Sequence, residues 1–359
     1  MSLLKLKPYV EALEKDEQNS YGYRAKSSFD MLENVDLMIE AFKTDEVINQ
    51  GEVLLDVFGL LQGFFVGIDC LYDLAIGLTH YKYYININQN KALHQLKYIR
   101  NDIVGHPTNR TYQQGSIGFS VLKPTSLTKD GMTYETYIYK KNKLDKHMVS
   151  VNFDELIEAY TSEKKQLIED IYQFVSQNPK DGKMLDEFLN LYETLNLELV
   201  DKVRKMFMEK YGLNENSKHR LLWRLDLLEV LISWHDQSND IDEFITYMAQ
   251  EQVHKCYEML CNIQNVKCTD LYTEIPKILK EFYIFIRKNE EEAYPLLTNL
   301  HDKDFPLHNQ ELEKLLSLNP KGLALELLLF LKVQTSEQKV YLIGSTLKKY
   351  RLKNQRNKK

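Results

Sequence analysis

Residues 54–78 form the most apolar stretch of the chain, and within it Gly59, Gly63 and Gly67 recur every four residues. On a helix that spacing sets the three glycines in one stripe. Each glycine costs up to about 1 kcal/mol of helix propensity relative to Ala. A helix here therefore needs close packing along the stripe, inside one subunit or between two copies. Asp56, Asp69 and Asp73 interrupt the stretch, and its longest uncharged piece, residues 57–68, is short for a bilayer span. The expectation is a core helix and no passage through a membrane.

The remainder of the chain supports a helical frame. Its 359 residues suit two or three domains, and 14 Gly with 8 Pro are too few for a turn-rich all-β protein of that length. Ser27 or Ser28 can cap a helix to about residue 42, and residues 45–79 read as one long or slightly broken helix. A polar break follows at 81–90, with Asn88 or Asn90 as the next N-cap. Ala92, Leu96, Ile99 and Ile103 then make one apolar stripe that Gly105 and Pro107 terminate. Residues 116–122 and 133–139 are rich in β-branched and aromatic residues and flank a turn-bearing loop, and 148–153 supply a third short strand. Residues 154–176 return to a helical pattern.

Pro179 and Gly182 mark a boundary, beyond which helices are expected at 184–211, 218–236, 241–261, 271–288, 311–318, 321–334 and 337–352. The fold class is mostly α. An N-terminal helical bundle (1–180) carries a small β-hairpin or meander at about 111–152. An all-α C-terminal domain (181–350) and a basic tail (351–359) follow.

One segment carries chemistry: Ile99-Arg100-Asn101-Asp102-Ile103-Val104-Gly105-His106-Pro107. RNA is cleaved without metal when its 2′-hydroxyl attacks the adjacent phosphate, which requires an acid or base near neutral pH and a fixed cation on the phosphorane. Histidine titrates in that range, and arginine offers a planar fork of donors that stays charged. His106 suits the first role, Arg100 the second, and Asn101 can bond a phosphate or orient the histidine. On an unbroken helix the six residues from Arg100 to His106 turn through roughly 240°, which separates the two faces. Gly105 and Pro107 predict that the helix unwinds before His106. Asp102 either holds Arg100 or His106 or is solvated, and its spacing from Arg100 favours solvation. Asp56, Asp69 and Asp73 are alternative partners for Arg100.

Arginine, a polar residue, four residues and histidine at the end of an amphipathic helix resemble the signature motif of the HEPN superfamily, with Arg100, Asn101 and His106 at the motif positions. The resemblance covers residues 20–178. It implies a HEPN-like helical bundle, a metal-independent endoribonuclease and a homodimer in which two motifs face each other. It also implies a setting in toxin–antitoxin or antiphage abortive-infection systems, with RNA as substrate and an antitoxin or sensor partner on the C-terminal helices. The reading calls for no cofactor and no metal, and places the protein in the cytoplasm. The alternative is a non-catalytic HEPN-like module for nucleotide binding or protein interaction.

The net charge is −6, but seven of the last twelve residues are basic and none is acidic, so without them it falls to −13. Lys348, Lys349 and Arg351 are thus candidate RNA contacts, the alternative being a solvated terminus. Cys256, Cys261 and Cys268 with His254 lack the paired C-x-x-C spacing of common zinc sites, and with Cys70 they read as free thiols. His80 and His94 lie near the motif. Lys218, His219, Arg220, Trp223 and Arg224 form either an RNA-contacting patch or a helix start with its charges outward.

Overall fold

The computed structural model describes residues 3–15, 19–44, 49–86, 90–111, 116–140, 143–177, 182–235 and 238–350. The chain is mostly helical, with one small antiparallel sheet. It divides into two compact units, Met1–Pro179 with Met208–Arg220, and Lys180–Phe207 with Leu221–Lys359.

The first unit is built on α1 (Lys7–Glu14), α2 (Ser20–Thr44), α3 (Gln50–Thr79), α4 (Lys91–Arg100) and α5 (Phe153–Val175). α3 is the apolar helix, continuous over 30 residues. By length and composition it could cross a bilayer. Here it forms the centre of the unit, packing against α2 most extensively and also against α4 and α5. Asn49 caps it by accepting from the Gly51 and Glu52 amides, and His80 ends it in the left-handed conformation at φ 51°. The expected cap of α2 moves upstream, because Asn19 accepts from the Tyr21 amide and the helix starts at Ser20, not Ser27 or Ser28. Asn90 caps α4 by accepting from the Leu93 amide, while Asn88 lies outside the described residues. The apolar stripe of α4 runs through Leu93, Leu96 and Ile99, with Ala92 only half-buried. The polar N-terminal residues contain α1.

The glycine stripe of α3 packs within its own chain. A Cβ at Gly63 would lie 3.0 Å from Met38 on α2, one at Gly67 would strike Tyr160 on α5, and one at Gly59 would meet only Met38 at 4.0 Å.

The sheet order is β1 (Arg110–Thr111), β2 (Ile117–Leu127), β3 (Gly131–Lys140), β4 (Lys143–Asn152). The meander is larger than its sequence pattern predicts. β2 runs on through Pro124 to Leu127, because an irregularity between Leu122 and Leu127 accommodates a residue that cannot donate to the ladder. The turn is reduced to Thr128–Asp130, where the Thr128 hydroxyl accepts from the Asp130 and Gly131 amides. On β3, Met132, Tyr134, Thr136 and Ile138 are buried. Asn152 then caps α5 by accepting from the Glu155 amide.

Met208–Arg220 joins this unit through a buried polar cluster. Asp170 on α5 accepts from the Tyr83 hydroxyl at 2.7 Å and from the Lys218 amide at 2.8 Å, while Lys218 pairs with Glu163 at 3.1 Å.

The described residues of the second unit contain helices and no strand: α6 (Gly182–Thr194), most of α7 (Leu197–Tyr211) and α8 (Arg220–Ile232), α9 (Asn239–Gln264), α10 (Lys277–Lys288), α11 (Glu290–Ala293), α12 (His308–Ser317), α13 (Leu323–Lys332) and α14 (Glu337–Leu347). The expected single helix at 184–211 is broken at Leu195, which takes a left-handed φ of 41°. Asn196 restarts the chain by accepting from the Glu198 amide. The helix expected from 271 begins only after Pro276, at Lys277.

Candidate active site

Arg100 is the last residue of α4. The five residues Asn101–Gly105 form one π-helical turn, closed by the His106 amide donating to the Asn101 carbonyl at 2.7 Å. An i→i+5 turn of this kind widens the helix and shifts the phase of the residues beyond it. His106, held before Pro107 at φ −139° and ψ 53°, has left the helix altogether and is exposed. The expected unwinding thus takes the form of a π turn.

The guanidinium of Arg100 runs forward along this turn. Nε donates to the Gln62 side-chain oxygen at 3.2 Å, and Nη1 to the Asn101 side-chain oxygen at 3.0 Å. Its Cζ sits 4.7 Å from the centre of the Phe65 ring. A Cβ on Gly105 would lie 2.9 Å from Nη1 and 3.5 Å from the Asn101 oxygen. The cation is therefore pressed onto a bare Cα one peptide before His106. Both hydrogen-bond partners among the described residues are neutral amides, and the carboxylate that senses the charge, Asp69, does so without an ion pair. Gln62 and Phe65 come from α3 and carry no motif. Their spacing of three residues places them on one face, but nothing in the sequence directs that face to Arg100.

None of the three aspartates considered as partners pairs with Arg100. Asp56 pairs with Lys129 at 2.5 Å, and Asp73 lies 3.8 Å from Arg24. Burial raises the Asp69 carboxyl, Asp73 adds to the rise, and Arg100 opposes it.

Asp102 is not solvated. It is buried, ion-paired to Arg110 and bonded by the Tyr134 hydroxyl at 3.2 Å. Burial pushes its carboxyl up, while Arg110 and Tyr134 hold it down. The pair ties the π turn to β1 and β3. A second tie runs from the Ser120 amide of β2 to the Pro107 carbonyl at 2.6 Å. The loop carrying His106 is thus anchored to the sheet on either side.

The other candidates lie elsewhere. His94 contacts Lys97 at 3.3 Å, and His80 stacks on Tyr21 with ring centres 4.4 Å apart. Lys348 donates to the Thr298 carbonyl at 2.9 Å and Lys349 pairs with Glu251, both in the second unit, while Arg351 lies outside the described residues. The group from Lys218 to Arg224 contains the expected helix start, since α8 begins at Arg220, but its charges are not all turned outward. His219 and Arg224 are buried, Arg224 donates to Gln252 at 2.6 Å, and the segment divides between the two units. Cys256 and Cys261 are buried, and His254 lies 3.7 Å from Glu258.

Comparisons of the chain with protein-family models, with characterised proteins and with solved structures found no match.

Proposed function

We propose that this chain is a metal-independent endoribonuclease of the HEPN type, with Arg100, Asn101 and His106 as its catalytic set. The observation that carries the reading is the seating of the Arg100 guanidinium on Gly105, beside an exposed His106. An arginine kept only for stability would be expected to pair with a carboxylate. This one is held by two amides and an aromatic ring against Gly105, the residue before an exposed histidine.

In the reaction, the RNA 2′-oxygen forms a bond to phosphorus and loses its proton, and the bond from phosphorus to the 5′-oxygen breaks as that oxygen gains a proton. The products are a 2′,3′-cyclic phosphate and a 5′-hydroxyl. His106 moves one of these protons. Arg100 stabilises the charge growing on the equatorial phosphorane oxygens. Asn101 fixes the Arg100 fork. A second His106, from another copy, supplies the other proton transfer in a homodimer formed through the first unit. The setting that fits is toxin or antiphage defence in the cytoplasm, with the second unit receiving an antitoxin or trigger.

The test is RNA cleavage by the purified protein in excess EDTA, beside Arg100→Ala and His106→Ala. Cleavage leaving 2′,3′-cyclic ends, lost in both folded variants, supports the assignment. Wild-type activity that survives both substitutions removes it.

A further inference from the structure

The outer face of the sheet is apolar, where an antiparallel sheet lying over a core normally turns polar side chains to water. Register sets Ile117, Tyr139 and Leu144 side by side in one row and Phe119, Tyr137 and Lys146 in the next. Ile117 is 37% exposed, Phe119 41%, Tyr139 44% and Leu144 56%, and Met148, on the same face, reaches 72%. Large apolar side chains thus stand exposed in neighbouring rows, where a face with no partner usually scatters them singly.

We propose that this face binds single-stranded RNA by stacking bases on Phe119, Tyr137 and Tyr139, and that it leads the strand to His106. The second clause rests on the nuclease reading above. Three rings in adjacent rows offer stacking surfaces to bases of any sequence. Positive charge accompanies them. The Lys146 ammonium lies 5.6 Å from the centre of the Tyr137 ring. Glu135, the acid among these outward positions of β3, is already paired with Lys146 at 2.8 Å. Lys146, and more weakly the exposed Lys123 of β2, hold the Glu135 carboxyl down, so two lysines face one carboxylate on this side of the sheet and a phosphate backbone meets net positive charge there. The face is also continuous with the candidate site. Ser120, whose amide bonds the Pro107 carbonyl, sits between Phe119 and Val121, one residue from each. A strand stacked along β2 would therefore pass the loop that carries His106. A protein partner would need no lysines bordering the rings and no such continuity.

The experiment measures fluorescence anisotropy of a short fluorescein-labelled 2′-O-methyl oligouridylate, which has no nucleophile and is not cut, against the full chain. Phe119→Ala and Tyr139→Ala are each expected to weaken binding about fivefold or more. Phe119→Leu, which keeps an apolar side chain but no ring, should weaken it comparably, and melting temperatures well above the assay temperature show that each variant is folded. Wild-type affinity in all three variants overturns the proposal. So does a change of mass in light scattering with unaltered RNA binding, which would make the face a contact between copies. The two readings separate. Ring-dependent binding without cleavage by the wild type keeps the platform and removes the nuclease, whereas cleavage and binding untouched by the ring variants do the reverse.

Discussion

The Arg100 guanidinium occupies the space that a side chain on Gly105 would need, since a Cβ there falls 2.9 Å from Nη1. The obstructing atom is the far end of a long side chain, so the fold can yield while the cation cannot stay where it is. Gly105→Ala is therefore expected to move Arg100 off its seat at little cost in stability, about 1 kcal/mol or less. Cleavage should fall by roughly two orders of magnitude, as when a positioned charge donor is lost from its transition-state site. Parallel thermal melts and cleavage rates check this. A variant that cuts RNA like the wild type would show that the seating of Arg100 on Gly105 has no part in catalysis.

Legibility in the sequence tracks how local each signal is. Asn90 can be read as a cap because it bonds an amide three residues on, whereas the cap at Asn152 lies inside what reads as a strand at 148–153. The bond from Arg100 to Asn101 joins neighbours, yet the residue pattern points Asn101 to a phosphate or to His106 and not to Arg100. The break at Leu195 is not legible, since a left-handed leucine leaves no glycine to announce it. Gln62 and Phe65 reach Arg100 from a helix far upstream, and only tertiary packing of α3 on α4 decides which of its residues meet the motif. The solvated reading of Asp102 fails for a related reason. Two residues from Arg100 it faces away from it, but the π turn and the return of the chain at β1 bring Arg110 across to it.

That pair makes the second prediction. Asp102 and Arg110 are both largely out of water, and burial outweighs the ion pair in raising the Asp102 carboxyl. Removing one partner strands the other. Asp102→Leu alone, or Arg110→Met alone, should destabilise the fold by about 3 kcal/mol or more. Joining Asp102→Leu with Arg110→Met removes both charges and should recover most of that loss, because a buried pair contributes little net stability over apolar side chains of similar volume. Urea unfolding of the two single variants and the double variant gives the coupling. Simple addition of the single losses would contradict it.

Two glycines of the α3 stripe, Gly67 and Gly59, are predicted to behave oppositely although their spacing is regular. At Gly67 a methyl group would run into Tyr160, which is fully buried and tilted against Phe64 with ring centres 5.0 Å apart. Gly67→Ala should cost about 1–3 kcal/mol through overpacking. At Gly59 the same methyl finds ordinary contact with Met38 at 4.0 Å. Gly59→Ala should stabilise by up to about 1 kcal/mol through helix propensity. Melting temperatures of both variants test the contrast. Association measured by light scattering should not change in Gly59→Ala. If it weakened, the stripe would be packing between copies and not only inside one chain.

His219 supplies the pH dependence of the first unit. Its ring is enclosed by Tyr83, Tyr84 and Phe174, and it donates to the Lys82 carbonyl. Burial pushes the imidazole down to about 3. In the unfolded chain a histidine titrates near 6.5. Above that pH both states are neutral there and stability is intact. Below it the unfolded chain takes up a proton that the folded chain refuses, so stability is lost between about 6.5 and 3, at up to roughly 1.4 kcal/mol per pH unit. Asp170, joined to the same cluster through the Tyr83 hydroxyl, has the opposite sign. Burial raises its carboxyl, so the folded chain gains relative stability as pH falls through that raised value. The two slopes are separated by comparing each protein with itself at two pH values. Between pH 7.5 and 5.0 the wild type should lose about 2 kcal/mol that His219→Phe does not lose, with the Asp170 contribution common to both. An equal loss in both proteins would mean that His219 does not titrate across unfolding in this range.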